Sequence, residues 1–524
     1  MTLTLYVLLV AATGIAIRYL WSSRIERRPL PPGPPKDPLI GHLRYMPTAQ
    51  APFLFHEWAK TYGDVMHLQV LGKSMIVLDT LQAAADLLDK KGSIYSDRPP
   101  LPLYELLGWT YMLSFMRYGE IFTRHRQVHQ SFFSRERCAE FEPMQNQEAR
   151  RLVRNLLASP TENYGAVLSK FTTSILVQVV AGHKIESDDD PYLELSKMVH
   201  QVFSVTGPPG GTPIDFFPPL GYFPSWFPGA YYAGIARAWR PVIRKLYDYP
   251  LECVQRQRAS NHLLPGNSSS QSLQESGDAS PSFLLSQLEE MDNGASELDH
   301  EELKGAAATL FGAELPTRSV VAVFLLAMVL NPECQIRAQK EIDSVVGTSR
   351  FPTFEDRAEL PFVECILQET LRQAFHPTRV PHRSTQDDIY RGMFIPKGSL
   401  ILANVRGMSL DESTYKNPTK FIPERFLLPP LGNGELPFTC LFGFGRRKCP
   451  AVHFVERNLW IAIVSILATC TISNALDEHG NVIVPEASMS DGVDSYPNDL
   501  RCVIKPRSDE VEALLEESIL LPDA

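Results

Sequence analysis

The sequence predicts a mainly α-helical protein with small β-sheets, preceded by one N-terminal membrane-spanning helix. Apolar residues recur at helical spacing, beside charged faces, through most of residues 130–200 and 230–256. Residues 299–330 predict one long helix. Its nearly unbroken apolar run 305–330 indicates burial, because a helix that is apolar all round lies inside a large fold. Short β-branched runs within 63–80, on both sides of Gly72, predict a hairpin.

The N-terminus predicts a transmembrane anchor. Residues 2–22 are about long enough to cross a bilayer, with Arg18 extending its charge to the interface. Arg24, Arg27 and Arg28 follow and mark that side of the membrane as cytoplasmic. A cleaved signal peptide is the alternative, but its charge would precede the apolar run and small residues would follow it.

The rest of the chain divides into a hinge, a body and a tail. Residues 23–38 are basic and proline-rich, which predicts a stiff, extended hinge; a ligand for a proline-recognising domain is the alternative. Residues 39–510 contain no repeat and are predicted to form one large domain. A serine-rich stretch over 259–282 predicts a disordered surface loop, and residues 511–524 a C-terminal tail.

Residues 206–229 are rich in proline, glycine and aromatic side chains, so they cannot form one regular element. Three interpretations remain open from the sequence. The stretch could be a mobile lid over an apolar pocket, a loop that dips into the membrane, or a packed irregular connection.

Composition excludes some classes of protein. The formal net charge of −10 argues against a general nucleic-acid binder. The eight cysteines are scattered without close pairs or framework spacing, which is typical of reduced cysteines in a protein that faces the cytosol.

The most informative motif surrounds Cys449. Residues 442–451 read Phe-Gly-Phe-Gly-Arg-Arg-Lys-Cys-Pro-Ala and lead into an apolar, helix-like run. A helix N-terminus and neighbouring cations both favour an ionised thiol. Cys449 is therefore a candidate axial ligand of a haem iron. The alternative is a buried structural cysteine in a glycine-rich turn.

Through this motif the chain resembles the cytochrome P450 family, whose haem loop has Phe, Gly, Arg, Cys and then Gly or Ala at fixed spacings. The matching residues are Phe442, Gly445, Arg447, Cys449 and Ala451. The resemblance implies a cytochrome P450 fold that binds haem b, with Cys449 as the iron ligand. It also implies that Phe442, Gly445 and Arg447 belong to the cofactor site.

Two further motifs match the family in order. Glu369 and Arg372 lie three residues apart, on one face of a predicted helix, and Arg425 follows in Pro-Glu-Arg-Phe. Alone, the first pair would be read as a solvated salt bridge. The resemblance implies instead that the three residues form a buried charge triad on the haem side of the core.

The resemblance also implies which cations hold the haem propionates: Arg447, His382 and Arg126. A charge on a surface helix is the alternative for Arg126. The family usually has a tryptophan four residues before that arginine, where this chain has Phe122. The phenylalanine keeps the aromatic packing but loses an indole donor to a propionate, so we expect a modest effect on haem affinity.

The central helix departs from the family, which carries an acid followed by threonine to relay protons during oxygen activation. This chain reads Glu314-Leu315-Pro316-Thr317. Aligned on Glu314, the threonine position holds Leu315. Aligned on residues 331–333 downstream, the acid position holds Leu315 and the threonine position holds Pro316. Neither alignment places a hydroxyl where the family has one.

Pro316 should also kink the helix and free the carbonyl near Gly312. That carbonyl, Glu314, Thr317 and water could form a substitute relay, which makes Glu314 and Thr317 the candidate catalytic residues. A substrate hydroxyl could serve instead.

The resemblance implies a monooxygenase that oxidises a lipophilic small molecule with O2. Electrons would come from an NADPH-dependent cytochrome P450 reductase, because this chain has no nucleotide-binding glycine motif. Residues 381–404 are similar to fungal members of secondary metabolism, which suggests a terpenoid or another lipophilic substrate. The expected location is the endoplasmic reticulum membrane, single-pass, with the catalytic domain facing the cytosol.

Two other functions remain open from the sequence. The altered distal pair favours a haem-thiolate isomerase, dehydratase or peroxide-using enzyme. A non-catalytic haem-binding or lipid-binding scaffold is the third possibility.

Overall fold

The computed structural model of the chain describes residues 29–47, 49–160, 163–262, 282–374, 380–490 and 495–520. Over these residues the protein is mainly α-helical with small sheets, as the sequence predicts. The predicted anchor over 2–22 lies outside the described residues.

The helices range from one turn to 32 residues. They are α1 Ala51–Tyr62, α2 Leu81–Ala84, α3 Gly92–Tyr95, α4 Pro102–Leu107, α5 Glu120–Phe132, α6 Glu142–Ala158, α7 Tyr164–Ala181, α8 Pro191–Val205, α9 Pro213–Phe216, α10 Tyr231–His262, α11 Phe283–Asp292, α12 His300–Phe311, α13 Glu314–Leu330, α14 Pro332–Val345, α15 Pro361–Gln373, α16 Val405–Ser409, α17 Val452–Thr469 and α18 Asp509–Leu520. A π-helical segment, Ala85–Lys90, continues α2.

The strands form three small sheets. They are β1 Val65–Val70, β2 Lys73–Leu78, β3 His382–Arg383, β4 Asp388–Tyr390, β5 Met393–Ile395, β6 Leu400–Ala403, β7 Cys470–Leu476, β8 Val482–Ile483 and β9 Cys502–Pro506. The largest sheet has the order β1-β2-β6-β3. The predicted hairpin is its β1–β2 pair, with Val70 opposite Lys73.

The core lies around α13, which contacts α7, α15 and α17. By length and composition α7, the α12–α13 stretch and α17 could each cross a membrane, yet 67–78% of each apolar window is buried inside the protein. Their apolar character is therefore explained by the core of the domain.

The described part of the predicted hinge lies against the sheets. The Pro29 and Pro32 carbonyls accept hydrogen bonds from the backbone N–H groups of Phe394 (2.7 Å) and His67 (2.9 Å). Gly33 is required there, because a Cβ would lie 2.2 Å from the His67 carbonyl oxygen. The proline-rich chain therefore joins the body before residue 39.

The structure describes part of the predicted loop and most of the predicted tail. Helix α10 continues to His262 and so includes the first residues of the predicted loop, whereas residues 263–281 lie outside the described residues. The predicted tail contains most of α18, and Val511 on this helix is buried.

The proline-rich and aromatic stretch 206–229 contains α9 and a short 3₁₀ turn, Pro218–Tyr222. Ile214 is fully buried, whereas Tyr222 is 90% exposed and Trp226 is 80% exposed. The stretch therefore packs on the domain through Ile214 and exposes two aromatic side chains, and all three interpretations stay open.

Candidate functional site

Residues 442–451, here called the cysteine loop, have a backbone conformation that leaves no room for a side chain at Gly445. The Cys449 N–H donates to the Phe442 carbonyl at 2.7 Å, and α17 begins three residues later. Gly445 has a φ of +50°, and a Cβ there would lie 2.2 Å from the Leu88 carbonyl oxygen. The Gly445 N–H also donates to the Asp89 carboxylate. These contacts fix the loop against the segment that follows α2.

A cavity of about 350 Å³ lies between this loop and the junction of α12 with α13. Its lining brings together six of the residues that the sequence assigned to the site: Cys449, Phe442, Arg447, Arg126, His382 and Thr317. Two others, Gly445 and Glu314, are not among its lining residues. Gly445 acts on the loop backbone, as described above.

Arg447 brings a partly desolvated cation to the cavity. Its guanidinium donates to the carbonyls of Ser96 and Met116, each at 2.8 Å, and lies 3.7 Å from the centre of the Phe122 ring. Burial lowers the pKa of Arg447 to about 9. Phe122, at the position where the resembled family usually has tryptophan, therefore stacks on the Arg447 guanidinium.

Arg126 lies nearby. It donates to the Lys448 carbonyl at 2.6 Å, and burial lowers its pKa. Within the described ranges neither Arg126 nor Arg447 forms an ion pair with a carboxylate. An unpaired, desolvated cation is costly and is stabilised when an anion binds.

Two other cationic or titratable side chains complete this wall. His382, on β3, is within 2.8 Å of the Tyr95 carbonyl oxygen through Nδ1. Arg98 is buried, and its guanidinium donates to the Ser114 and Val380 carbonyls. Sequence reasoning missed Arg98, because a single arginine before two prolines carries no spacing signal.

This set of residues fits haem. The cavity has a cysteine at one wall and several arginines beside it, so it can supply a thiolate ligand and the cations that two propionate carboxylates require. Apolar side chains, including Leu113, Val320 and Leu441, form much of the remaining lining.

The distal wall is interrupted. The single helix expected over 299–330 is two helices, with Gly312 and Ala313 in a turn between them. Pro316 has no N–H to donate to the Gly312 carbonyl, so the helix loses that bond at the predicted kink. Pro316 and Thr317 both line the cavity, whereas Leu315 is buried elsewhere.

Thr317 therefore brings a hydroxyl to the cavity in a position that neither sequence alignment assigned to it. Its side chain is 8% exposed. Its role in catalysis stays a prediction.

Glu314 lies outside the lining of the cavity. Its carboxylate is directed to α7 and α8, where it accepts hydrogen bonds from Ser196 (2.7 Å), Thr172 (3.1 Å) and Ser169 (3.2 Å). His200 Nε2 lies 3.4 Å from Oε1. The sequence could not reveal this, because the partners lie over 100 positions away on other helices.

The pKa of Glu314 reflects two opposing effects. Burial opposes its ionisation, but the hydrogen bonds and the charge of His200 outweigh that cost and hold the pKa below its ordinary value of 4.5. The carboxylate in this conformation ties α13 to its neighbours, and its predicted part in a proton relay remains untested.

The predicted charge triad is assembled in the core, away from the cavity lining. Arg372 donates to both carboxylate oxygens of Glu369, at 2.7 and 2.8 Å, and Arg425 lies 3.2 Å from the same carboxylate. All three side chains are at most 1% exposed. Arg372 also donates to the Ser409 and Pro418 carbonyls, which connects α15 to the chain that leads to the cysteine loop.

Known proteins match this chain over most of its length. The family model described as cytochrome P450 matches residues 31–485. The cytochrome P450 monooxygenase claR of Ampulloclitocybe clavipes is 37% identical, over 96% of this chain and 91% of the relative. Cytochrome P450 monooxygenase 136 of Postia placenta is 35% identical, over 98% and 95%. A cytochrome P450 monooxygenase of Armillaria gallica is 34% identical, over 93% and 95%.

Proposed function

The chain belongs to the cytochrome P450 family of haem b-binding monooxygenases, and from this premise we propose that it oxidises a lipophilic small molecule in fungal secondary metabolism. The observation that carries the proposal is the cavity that joins Cys449 to Arg126 and Arg447 on one side and to Thr317 on the other. The fungal sources of the similar monooxygenases support the biological setting.

In this proposal the cysteine loop and its neighbours hold the cofactor. Cys449 provides the thiolate ligand, and Arg447, Arg126, His382 and Arg98 pair with the propionates. When bound, a haem with a thiolate ligand supplies the activation of O2 for insertion into a substrate C–H bond. The rigid backbone around Gly445 keeps the cysteine in place during turnover.

The distal side of the cavity positions the substrate and supplies a proton. Ser114, Thr309 and Thr317 bring hydroxyl groups to the cavity, and we assign the proton to Thr317 because it stands next to Pro316 on the interrupted helix. The apolar lining excludes water and favours a lipophilic substrate; it includes Met112, Leu310 and Val320. A terpenoid meets these requirements.

The partner and the location follow from the same proposal. P450 monooxygenases need a redox partner, and we assign an NADPH-dependent cytochrome P450 reductase. The apolar residues 2–22 anchor the protein in the endoplasmic reticulum membrane with the catalytic domain in the cytosol. The exposed aromatic residues Tyr222 and Trp226 support contact of the domain with that membrane.

Turnover with isotopically labelled oxygen tests the proposed reaction. The full-length holoenzyme is combined with reductase, NADPH, ¹⁸O₂ and candidate terpenoids, and the products are analysed by mass spectrometry. One labelled oxygen atom in the product supports monooxygenation. Turnover that gives unlabelled product overturns it.

Pro316 favours a second candidate function. It stands at the cavity wall where one alignment expects the relay threonine. A haem-thiolate isomerase, dehydratase or peroxide-using enzyme has no need of that relay. Product formation without NADPH, from a rearranging substrate or with added hydrogen peroxide, would favour this candidate.

A further inference from the structure

The cavity lined by Cys449 is called the haem cavity below. A second cavity of about 550 Å³, here called the outer chamber, lies beside it. It is bounded by β1, β2, β3 and the proline-rich stretch near Gly210 and Asp215. Its titratable lining residues are Lys36, His67, Lys73, Asp215, Arg383 and Lys397. Four cations therefore face one carboxyl group, in a chain whose formal net charge is −10.

The single carboxyl group of the outer chamber offsets little of this positive charge, and its imidazole is neutral. Asp215 is 3% exposed, and it accepts hydrogen bonds from the backbone N–H and hydroxyl of Thr212. Burial outweighs these bonds and raises the pKa of Asp215, so its charged form is the costly one. Burial lowers the pKa of His67 to about 4, which keeps it neutral.

Lys73 is held by uncharged groups. Its ammonium donates to the backbone carbonyl of Asp215 at 2.7 Å and lies 4.6 Å from the centre of the Phe216 ring. Burial lowers its pKa. An ammonium has three N–H donors, so Lys73 can donate to an anion in the chamber while it keeps its contact with Asp215.

Arg383 and Lys397 can also donate hydrogen bonds to an anion in the chamber. The Arg383 guanidinium lies 3.8 Å from the Asp97 carboxylate, which Arg117 holds more closely at 2.6 Å. Lys397 makes no side-chain hydrogen bond to another residue in the described ranges. A cavity with one dominant sign of charge attracts ions of the opposite sign.

The outer chamber adjoins the haem cavity. Neighbouring residues of one strand face the two spaces, because Arg383 lines the outer chamber and His382 lines the haem cavity. Successive strand residues are about 3.3 Å apart. A second approach of the two spaces lies at Gly210, which lines the outer chamber, and Pro381, which lines the haem cavity. A Cβ added at Gly210 would lie 3.7 Å from the Pro381 side chain, so the walls of the two spaces come close to each other here.

We propose that the outer chamber binds the anionic group of a lipophilic carboxylic acid substrate while its apolar part extends into the haem cavity. Lys73 and Arg383 are the specificity-determining residues, since they combine partial burial with unused donors. This assignment rests on the proposed monooxygenase function and narrows its substrate class.

Binding measurements test the assignment independently of turnover. Full-length holoenzyme in detergent is titrated with dodecanoate and with methyl dodecanoate, and binding is followed by equilibrium dialysis of the radiolabelled compounds. We expect wild type to prefer the acid, and the Lys73→Gln/Arg383→Gln variant to bind the acid about tenfold more weakly, since charge-assisted hydrogen bonds are lost. Ester binding should be the same in both proteins.

Lys340→Gln/Arg501→Gln is the matched control, because it removes the same charges from exposed positions outside the chamber. It should retain the preference for the acid. Equal affinity of wild type for acid and ester, or an undiminished preference in Lys73→Gln/Arg383→Gln, overturns the proposal.

A membrane headgroup could supply the same anionic chemistry, so a second arm uses vesicles. Phosphatidylcholine vesicles with and without phosphatidylserine are mixed with the three proteins. If Lys73→Gln/Arg383→Gln loses binding to anionic vesicles while its affinity for dodecanoate is unchanged, the chamber binds a headgroup and the substrate assignment is wrong. A labelled product from neutral substrates alone would leave the monooxygenase function intact while contradicting the acid preference.

Discussion

The two walls of the haem cavity are built in different ways. The cysteine wall is a loop fixed by its own backbone, where Gly445 has no room for a side chain and Cys449 donates to the Phe442 carbonyl. The distal wall is a helix interrupted at Gly312, and the side chain of Glu314 ties its second half to α7 and α8. A wall fixed by backbone tolerates few substitutions, whereas one held by side chains can be rebuilt with other residues.

Removing the cysteine thiol is the most severe test of the cysteine wall. In Cys449→Ala we expect complete loss of thiolate ligation and of product formation, because no other side chain on this loop can supply an iron ligand of the same kind. Reduced-CO difference spectra measure the ligation, and product analysis with reductase and NADPH measures the activity.

Cys253→Ala is the control for this prediction, since Cys253 is a half-buried cysteine on α10. It should retain both the spectrum and the activity. Turnover by Cys449→Ala at the rate of the wild type would contradict the assignment of the entire site.

Substitution in the charge triad tests how much Glu369, Arg372 and Arg425 stabilise the core behind the cysteine wall. Arg372→Ala leaves the buried carboxylate of Glu369 with Arg425 as its remaining ion-pair partner. We expect a loss of about 3–5 kcal/mol in the free energy of unfolding, as for other broken buried ion pairs. Thermal and urea unfolding of the holoenzyme measure the change.

Arg256→Ala removes an arginine from an exposed i,i+4 pair and should cost less than about 1 kcal/mol. A similar small loss in Arg372→Ala would show that the triad contributes little to the stability of this wall.

The geometry of the cysteine wall can be predicted from the sequence, whereas much of the distal wall cannot. Phe442, Arg447 and Cys449 are close in sequence, so their spacing carries the geometry of the loop, and the triad is set by short motifs. The environment of Glu314 depends on Ser196 and His200, which reach it only through tertiary packing. Arg98 likewise joins Arg126 and Arg447 at the cavity through packing rather than spacing.

Among the helices and strands, too, those with local sequence signals are predicted, and those that depend on tertiary packing are not. The periodic helices and the β1–β2 hairpin are predicted well, because their signals are local. Pro316 signals the break near Gly312 locally, whereas the docking of the prolines near Gly33 depends on His67 and Phe394, which are distant in the sequence.

Substitution of Thr317 tests whether its hydroxyl delivers protons in place of the threonine that the family has at another position. In Thr317→Val, which keeps the shape but removes the hydroxyl, we expect product formed per NADPH consumed to fall at least about tenfold. Pro316→Thr, which restores a hydroxyl one position earlier, should raise that ratio. Parallel assays of NADPH, product and hydrogen peroxide measure the coupling.

Ser319→Ala is a matched control on the same helix, because the Ser319 hydroxyl donates to the Ser495 carbonyl away from the cavity. Its coupling should equal that of wild type. Unchanged coupling in both Thr317→Val and Pro316→Thr would show that neither hydroxyl position matters.

The smallest expected effect concerns the charge of Glu314 and is visible as a dependence on pH. The pKa of this carboxyl is below 4.5 in the folded protein, so its ionisation stabilises the fold above about pH 4.5 and the contribution is lost as the pH falls through the folded pKa. Glu314→Gln should therefore be about 1–3 kcal/mol less stable than wild type at neutral pH, and the difference should shrink below pH 4.5. Urea unfolding followed by circular dichroism at several pH values measures it, with the exposed Glu297→Gln as control. A difference that stays constant with pH would mean that Glu314 holds the distal wall by hydrogen bonding and shape alone, without its charge.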